Sequence, residues 1–355
     1  MTLFSVENHV RECRYNFYLN RRIGLIANCN KIRMKTIHNT IRSLFLCGIA
    51  FWTLTSAFPG KPVHLNPNQT WTRISLGRQL FFDPILSSDS SVSCASCHKP
   101  EYGFADSLPF SKGVGGKFTK RNTPSVLNMA NRDLLFWDGR ANSLEHQALF
   151  PIRDPGEMNL PIPKAIARLK KNKTYFKAFK EVFGGLPSEK FLAEALGAYE
   201  SSLETGNSPF DLYMNGKGTL DPAAKAGHAL FVGKAGCFDC HFSPDFTGDE
   251  FKNIGLYNGK DWNDPGRYAI TLEKGDLGKF KVPGLRNVAR TAPYMHNGAF
   301  PTLRSVIDYY ASPEAVVNQP IGTDSTIRKG LVLNETEKQQ LEAFLRSLTS
   351  SIPAK

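Results

Sequence analysis

The sequence predicts a mainly helical chain built in two halves, and three observations carry that expectation. Apolar residues recur at helical spacing in several segments, while strand-like alternation is weak throughout. The pentapeptide Cys-x-x-Cys-His occurs twice, as Cys94-Ala95-Ser96-Cys97-His98 and as Cys237-Phe238-Asp239-Cys240-His241, once in each half. The stretches 111–124 and 257–284 are long and rich in Gly, Pro and Asn, and loops of that length in a compact domain need a site to serve.

The two pentapeptides set the chemistry. In Cys-x-x-Cys-His the thiols add to the vinyl groups of one haem and the adjacent imidazole reaches its iron. The spacing is short because both sulfurs must meet one porphyrin edge. Paired Cys-x-x-Cys segments also build Cys₄ zinc centres. Two copies, each followed by His and separated by more than a hundred residues, favour two covalently attached c-type haems instead.

The other three cysteines, Cys13, Cys29 and Cys47, all precede residue 58. From Met34, Lys35 and Arg42 lead into an apolar run from Leu44 to Leu54 and then Thr55-Ser56-Ala57, the order of a secretory signal peptide. Residues 1–33 show no apolar periodicity and are expected to be an upstream extension, with translation starting at Met34. Residues 34–57 are expected to be a signal peptide cleaved after Ala57, which places the protein in the periplasm. The alternatives are an uncleaved membrane anchor, for which 43–59 is at the short end of the roughly 17–25 residues that span a bilayer, and a lipoprotein at Cys47, which follows Leu46 inside the apolar run. Cleavage leaves 298 residues with no thiol outside the two motifs, as suits an oxidising compartment. It also leaves 36 Lys/Arg against 30 Asp/Glu, so the charge falls from +12 to +6 and gives no reason to expect nucleic-acid binding or, the anchor aside, a membrane.

Helical periodicity places elements around Pro163 to Leu169, over 189–203, and over 222–232, where Ala226, Leu230 and Phe231 share a face. Over 302–310, Leu303, Val306, Ile307 and Tyr310 fall on one face while Tyr309 points elsewhere. Asn334 followed by Glu337 starts a last helix, with Leu341, Phe344, Leu345 and Leu348 as its buried stripe. The linker falls near 216–220, giving haem domains at 58–218 and 219–333, with the final helix, 334–355, packing back on the first.

Several longer segments then agree with one family across nearly the whole mature chain. Leu76-Gly-Arg-Gln-Leu-Phe-Phe-Asp-Pro, Arg121-Asn-Thr-Pro-Ser-Val, Phe136-Trp-Asp-Gly-Arg-Ala, Lys281-Val-Pro-Gly-Leu-Arg-Asn and Pro293-Tyr-Met-His-Asn-Gly resemble the bacterial dihaem cytochrome c peroxidases and their MauG-like relatives. The resemblance implies an all-α fold of two cytochrome c-like haem domains with long irregular loops. It implies a peroxidatic haem in the first and an electron-transfer haem in the second, hydrogen peroxide as substrate, and a redox partner protein: a small cytochrome, a cupredoxin or a protein substrate. Residue by residue, it makes His98 and His241 proximal iron ligands and Trp137 a relay between the haems. Gln147 and Glu157 become the distal pair that handles the peroxide proton, and Asn122, Thr291 and Pro293 become oxygen donors to a calcium ion.

Two departures refine the expectation. Where many classical members hold a second His over the peroxidatic haem, this chain has Val114, so that iron is expected to be open to peroxide. Where the peroxidases place a Met fourteen residues after the His that corresponds to His296, this chain has Tyr310, as the MauG-like enzymes do. A tyrosinate favours Fe(III) over Fe(II), whereas Met raises the potential. Tyr310 as a core tyrosine and Met295 as the ligand are the alternatives. Asn297 stands where the family has Asp. Together these features favour a MauG-like oxidase over a peroxidase fed by a small cytochrome, and both over a pure electron carrier.

Overall fold

Each Cys-x-x-Cys-His segment is introduced by a helix in which a glycine permits backbone-to-backbone packing. The computed structural model describes residues 70–328 and 330–352; the expected extension at 1–33 and signal peptide at 34–57 lie outside them. In the first half, α1 (Arg73–Phe82) is closed at its start by a Thr72–Ser75 capping box. A Cβ on Gly77 would lie 1.8 Å from the Ala195 carbonyl oxygen, so only glycine lets α1 lie against α6 (Glu189–Ser201). The short α2 (Cys94–Cys97) carries the first thiol pair. Between α2 and α6 come α3 (Leu144–Arg153), α4 (Ile162–Lys171) and α5 (Lys173–Phe183).

The second half repeats the device. After α7 (Pro209–Met214), α8 (Pro222–Val232) is capped by Asp221, whose carboxylate accepts from the backbone of Ala223 and Ala224. A Cβ on Gly227 would lie 1.9 Å from the Gln340 carbonyl oxygen of α12 (Glu335–Ser347). The pattern Gly-x-x-Leu-Phe is thus shared, as Gly77/Leu80/Phe81 and Gly227/Leu230/Phe231. In both cases the Phe meets an aromatic of the partner helix, Phe81 on Tyr199 at 5.1 Å and Phe231 on Phe344 at 4.9 Å. Burying one such ring contributes about 1.5–3 kcal/mol. The remaining elements are α9 (Tyr268–Thr271), α10 (Leu303–Ala311), α11 (Ser325–Arg328) and one two-residue antiparallel ribbon pairing β1 (Phe251–Lys252) with β2 (Phe280–Lys281).

The described residues all belong to one compact unit. Within it, one large apolar cluster draws on residues between Trp71 and Leu203 and a second on residues between Phe210 and Leu348. Two expectations are corrected. On α8 the buried face is Ala224, Gly227 and Phe231, with Leu230 packed half-buried on the second cluster and Ala226 outside it, because the close approach at Gly227 sets the contact line. The final helix α12 packs on α8 and α10 of its own half, since its stripe of Leu341, Phe344, Leu345 and Leu348 belongs to the second cluster. Ile352, beyond the helix, reaches the first cluster. Among the described residues no helix is long and apolar enough to cross a membrane.

Candidate active site

A cavity of about 1460 Å³ is lined by Cys97, His98, Cys240, His241, Trp137 and Tyr310, among others, drawn from both halves. It is larger than the roughly 300–1,000 Å³ of a small-molecule pocket. Cys237, Gln147, Glu157, Asn122, Thr291 and Pro293 also face it. Cys94 is the exception among the expected site residues, since its side chain packs on the first core.

The two motif histidines are prepared in the same way. The His98 Nδ1 lies 3.0 Å from the Phe104 carbonyl and the His241 Nδ1 2.9 Å from the Phe246 carbonyl. A carbonyl can only accept, so each Nδ1 carries the proton and each Nε2 keeps its lone pair, the tautomer a metal ligand requires. Both Phe104 and Phe246 sit at positive φ, 56° and 58°, which turns their carbonyls onto the rings. Burial pushes both imidazoles down, toward the neutral ligand form. The four thiols are free and held protonated by burial, Cys97 and Cys240 at about 11 and Cys237 at about 12. Among the described residues, no group of three or more His, Cys, Asp or Glu is placed to hold a metal, so the Cys₄ zinc alternative has no centre here. Two buried imidazoles with free Nε2 atoms, each beside a thiol pair, fit haem.

Trp137 is fixed from both halves. Its indole Nε1 donates to the Asn122 carbonyl at 2.8 Å, and its own carbonyl accepts from the Lys281 backbone at 2.8 Å. Asn122 in turn donates its backbone N–H to the His296 carbonyl at 2.7 Å. The His296 ring stacks on Phe280 at 3.6 Å, and the Arg121 guanidinium lies over that same Phe280 ring. Arg121 is held by Asp138 and Asp264. Burial pushes His296 down to about 4, so it is neutral at physiological pH.

Glu157 follows α3 in a tight turn, its backbone N–H donating to Asp154. Burial, reinforced by the Asp154 charge and opposed by Arg140, pushes its carboxyl up to about 7. Gln147 projects into the same cavity from α3. The Gly113–Gly116 loop crosses behind them: Val114 donates its N–H to the Glu157 carbonyl and packs on the first core, presenting no ligand. The histidines that line the cavity are His98, His241 and His296.

Leu303, Val306, Ile307 and Tyr310 of α10 all line the cavity, as the helical wheel requires. Tyr309 turns away, buried, and donates to the Ile254 carbonyl. Among the described residues the Tyr310 hydroxyl has no hydrogen-bond partner, and burial pushes its phenol well above the ordinary value. Met295 also lines the cavity, packed in the small cluster that Tyr310 borders. Sequence reasoning missed Glu200 on α6, which is 4% exposed and faces the cavity. The signal was present: Leu196, Tyr199 and Leu203 form a helical apolar stripe, and an acid interrupts it.

Residues 72–219 match the family model for di-haem cytochrome c peroxidase. The chain is 38% identical over 279 residues to the methylamine utilization protein MauG of Methylorubrum extorquens, covering 78% of each chain. It is 36% identical over 335 residues to the cytochrome-c peroxidase IdrP1 of a Pseudomonas sp. (strain SCT), covering 83% of this chain and 85% of that one. A solved MauG-like protein associated with microbial copper homeostasis superposes with a TM-score of 0.73 at 31% identity, over 84% of this chain and 96% of that one. The chain therefore belongs to the family of di-haem cytochrome c peroxidases and MauG proteins, oxidoreductases that carry two haem groups and act on peroxide.

Proposed function

We propose that the protein is a MauG-like oxidase that reacts with hydrogen peroxide in its first half and withdraws electrons, through the second half, from a protein or other organic donor. The observation that carries this reading is Tyr310, a cavity-facing phenol in the half that contains His241, with no hydrogen-bond partner among the described residues. Buried this deeply, a phenol loses its proton only where a cation stabilises the phenolate left behind.

Haem, when bound, supplies an iron that exchanges electrons with peroxide and with the donor. The chain's own residues do the rest. The Cys94/Cys97 and Cys237/Cys240 thiols attach the two groups covalently, and the Nε2 atoms of His98 and His241 are the proximal donors. Tyr310 would hold the second iron through an anionic oxygen, a donor that favours Fe(III) over Fe(II). Val114 leaves the first site open. Glu157, poised near neutrality, takes the proton from one peroxide oxygen and returns it to the other, while the Gln147 amide orients the substrate by hydrogen bonding. Trp137, tied to Asn122 and Lys281, offers a fixed π-system for electron transfer between the halves.

Calcium fits the same wall. The Asn122 amide nitrogen is spent on the Leu108 and Pro109 carbonyls. Its oxygen is left, with the carbonyls of Thr291 and Pro293, as a hard-donor set without a carboxylate. The signal sequence read at 34–57 makes the periplasm the compartment.

The test is a titration of the ferric protein with one equivalent of peroxide, followed by absorption and EPR, with and without a reduced small cytochrome. The expected result is a persistent two-electron-oxidised state that Tyr310→Phe abolishes while the first site still consumes peroxide. An unchanged spectrum in Tyr310→Phe removes the tyrosine from the iron, makes Met295 the ligand and makes the cytochrome-fed peroxidase the better reading.

A further inference from the structure

Peroxide reduction consumes protons as well as electrons: H₂O₂ with two electrons and two protons gives two waters as the O–O bond breaks. The electrons come from the one-electron donor. Glu157 moves a proton within the substrate but adds none to the balance, so two must enter the cavity from bulk water in every turnover.

Glu200 stands where such an entry would end. It lies on α6, is 4% exposed, faces the cavity, and its Oε2 has no hydrogen-bond partner. The repeat between the halves shows that packing does not call for an acid there. Gly77 meets Ala195 and Tyr199 of α6, and Gly227 meets Gln340 and Phe344 of α12. That register superimposes Glu200 on Leu345, which lines the cavity from the other half as an ordinary apolar wall. An unpartnered buried acid costs stability that a leucine would not, and the first half carries it nonetheless.

A companion leads outward. Glu145, exposed in the first turn of α3, lays its carboxyl over Gly197, three residues before Glu200 on α6. A Cβ on Gly197 would lie 3.0 Å from the Glu145 Cδ and Oε1, so the glycine gives the carboxyl room to lie on the helix. The titratable groups that act on or answer to Glu200 are Glu145 on α3, Cys94 on α2 and Tyr199 beside it on α6, while Arg78 on α1 acts on Tyr199 and not on Glu200. None is a cation that would hold Glu200 ionised.

We propose that Glu145 and Glu200 form a proton entry route into the first half of the cavity, Glu145 collecting protons from solvent and Glu200 delivering them to the water-forming side of peroxide cleavage. It rests on peroxide reduction as the reaction. Protonated Glu200 releases its proton to the departing oxygen and is reloaded from Glu145, with no change in its own oxidation state.

The experiment uses the dihaem protein and its Glu200→Gln and Glu145→Gln variants. In the infrared spectrum, with Glu157 also replaced so that it adds no band, the carbonyl stretch of a protonated carboxyl, shifted in heavy water, is expected in Glu157→Gln and absent when Glu200→Gln is added. Proton uptake after mixing with peroxide and a reduced one-electron donor, followed with a pH-indicator dye in weak buffer, is expected to slow by about 10²-fold in Glu200→Gln, the usual worth of a positioned proton donor. It should slow less in Glu145→Gln, and that loss should be recovered by adding small weak acids. Ferric absorption spectra and cyanide affinity should match the wild type in both. Wild-type uptake rates in Glu200→Gln overturn the route. An altered ferric spectrum with unaltered uptake shows a structural role and overturns it equally. If the wild type itself takes up no protons with peroxide, it is the peroxide reaction that fails, a result separate from the other two.

Discussion

Glu157 offers a quantitative test because its environment is legible. Moving its carboxyl from 4.5 to about 7 corresponds to about 3 kcal/mol against the charged form, at about 1.36 kcal/mol per unit. Desolvation is the larger cause and Asp154 the second, with Arg140 pulling the other way. The base that accepts the first peroxide proton must be a carboxylate. The second-order rate of the ferric protein with peroxide should therefore fall about tenfold per pH unit below about 7 and level off above it. Glu157→Gln removes both the inflection and the base. The plateau should drop by about 10²–10⁴-fold, or about 3–5 kcal/mol in the barrier.

A second substitution tests the cause as well as the group. Asp154→Asn deletes the neighbouring negative charge that raises Glu157, so the inflection should move to lower pH while the plateau is kept. The assay is stopped-flow absorption across the pH range with peroxide in excess. A wild-type profile without an inflection near neutrality, or an inflection that survives in Glu157→Gln, would falsify the assignment of the proton to this carboxyl.

Three further outcomes are expected. Intact mass of the exported protein should exceed that of its polypeptide by two haems, because both thiol pairs and both imidazoles are complete; a gain of one haem breaks the duplicated arrangement. Cyanide should bind the fully ferric protein at once, since Val114 supplies no ligand; two low-spin irons that ignore cyanide until reduced would show that another side chain closes the first site. Gly227→Ala should lower the melting temperature, as its Cβ would sit 1.9 Å from the Gln340 carbonyl and the helices must part, a cost of about 1–3 kcal/mol. Gly206→Ala, which meets nothing within 4 Å, is the control, and equal melting points for the two would refute the packing argument.

What could be read from the sequence depended on how local its cause was. The Asn334–Glu337 capping box and the α10 face were visible because they rest on residues three or four apart. Helices α1, α3, α5 and α7 were not assigned. In α1 the apolar face is interrupted by Gly77 and Gln79, both buried, and in α3 Pro151 sits inside the last turns. The meaning of Gly77 lies 118 residues away, in the Ala195 carbonyl, beyond any window of periodicity. The site divides in the same way. Cys-x-x-Cys-His is a local motif, whereas the Phe104 and Phe246 carbonyls that orient its imidazoles depend on positive-φ turns the motif does not contain. Glu157 as a group poised near neutrality needed burial and Asp154, neither of which sequence spacing reports.

The repeat itself separates framework from chemistry. Gly-x-x-Leu-Phe, the thiol pair, the Nδ1-to-carbonyl bond and the aromatic on the closing helix occur in both halves at matched places, and each has a packing or ligand-orienting reason that applies equally to both. The differences have no such reason. The first half places Glu157, Gln147 and Glu200 at its cavity wall, where proton donors and acceptors serve the breaking of an O–O bond. The second places Leu345, where the repeat puts Glu200, at the cavity wall together with Leu341 and Tyr310, among charged residues that include Asp245, Asp249 and Lys281. On the proposed function, that contrast assigns the making of water to the first half, where Glu157 and Glu200 can exchange protons, and the anionic oxygen donor to the second, where Tyr310 stands.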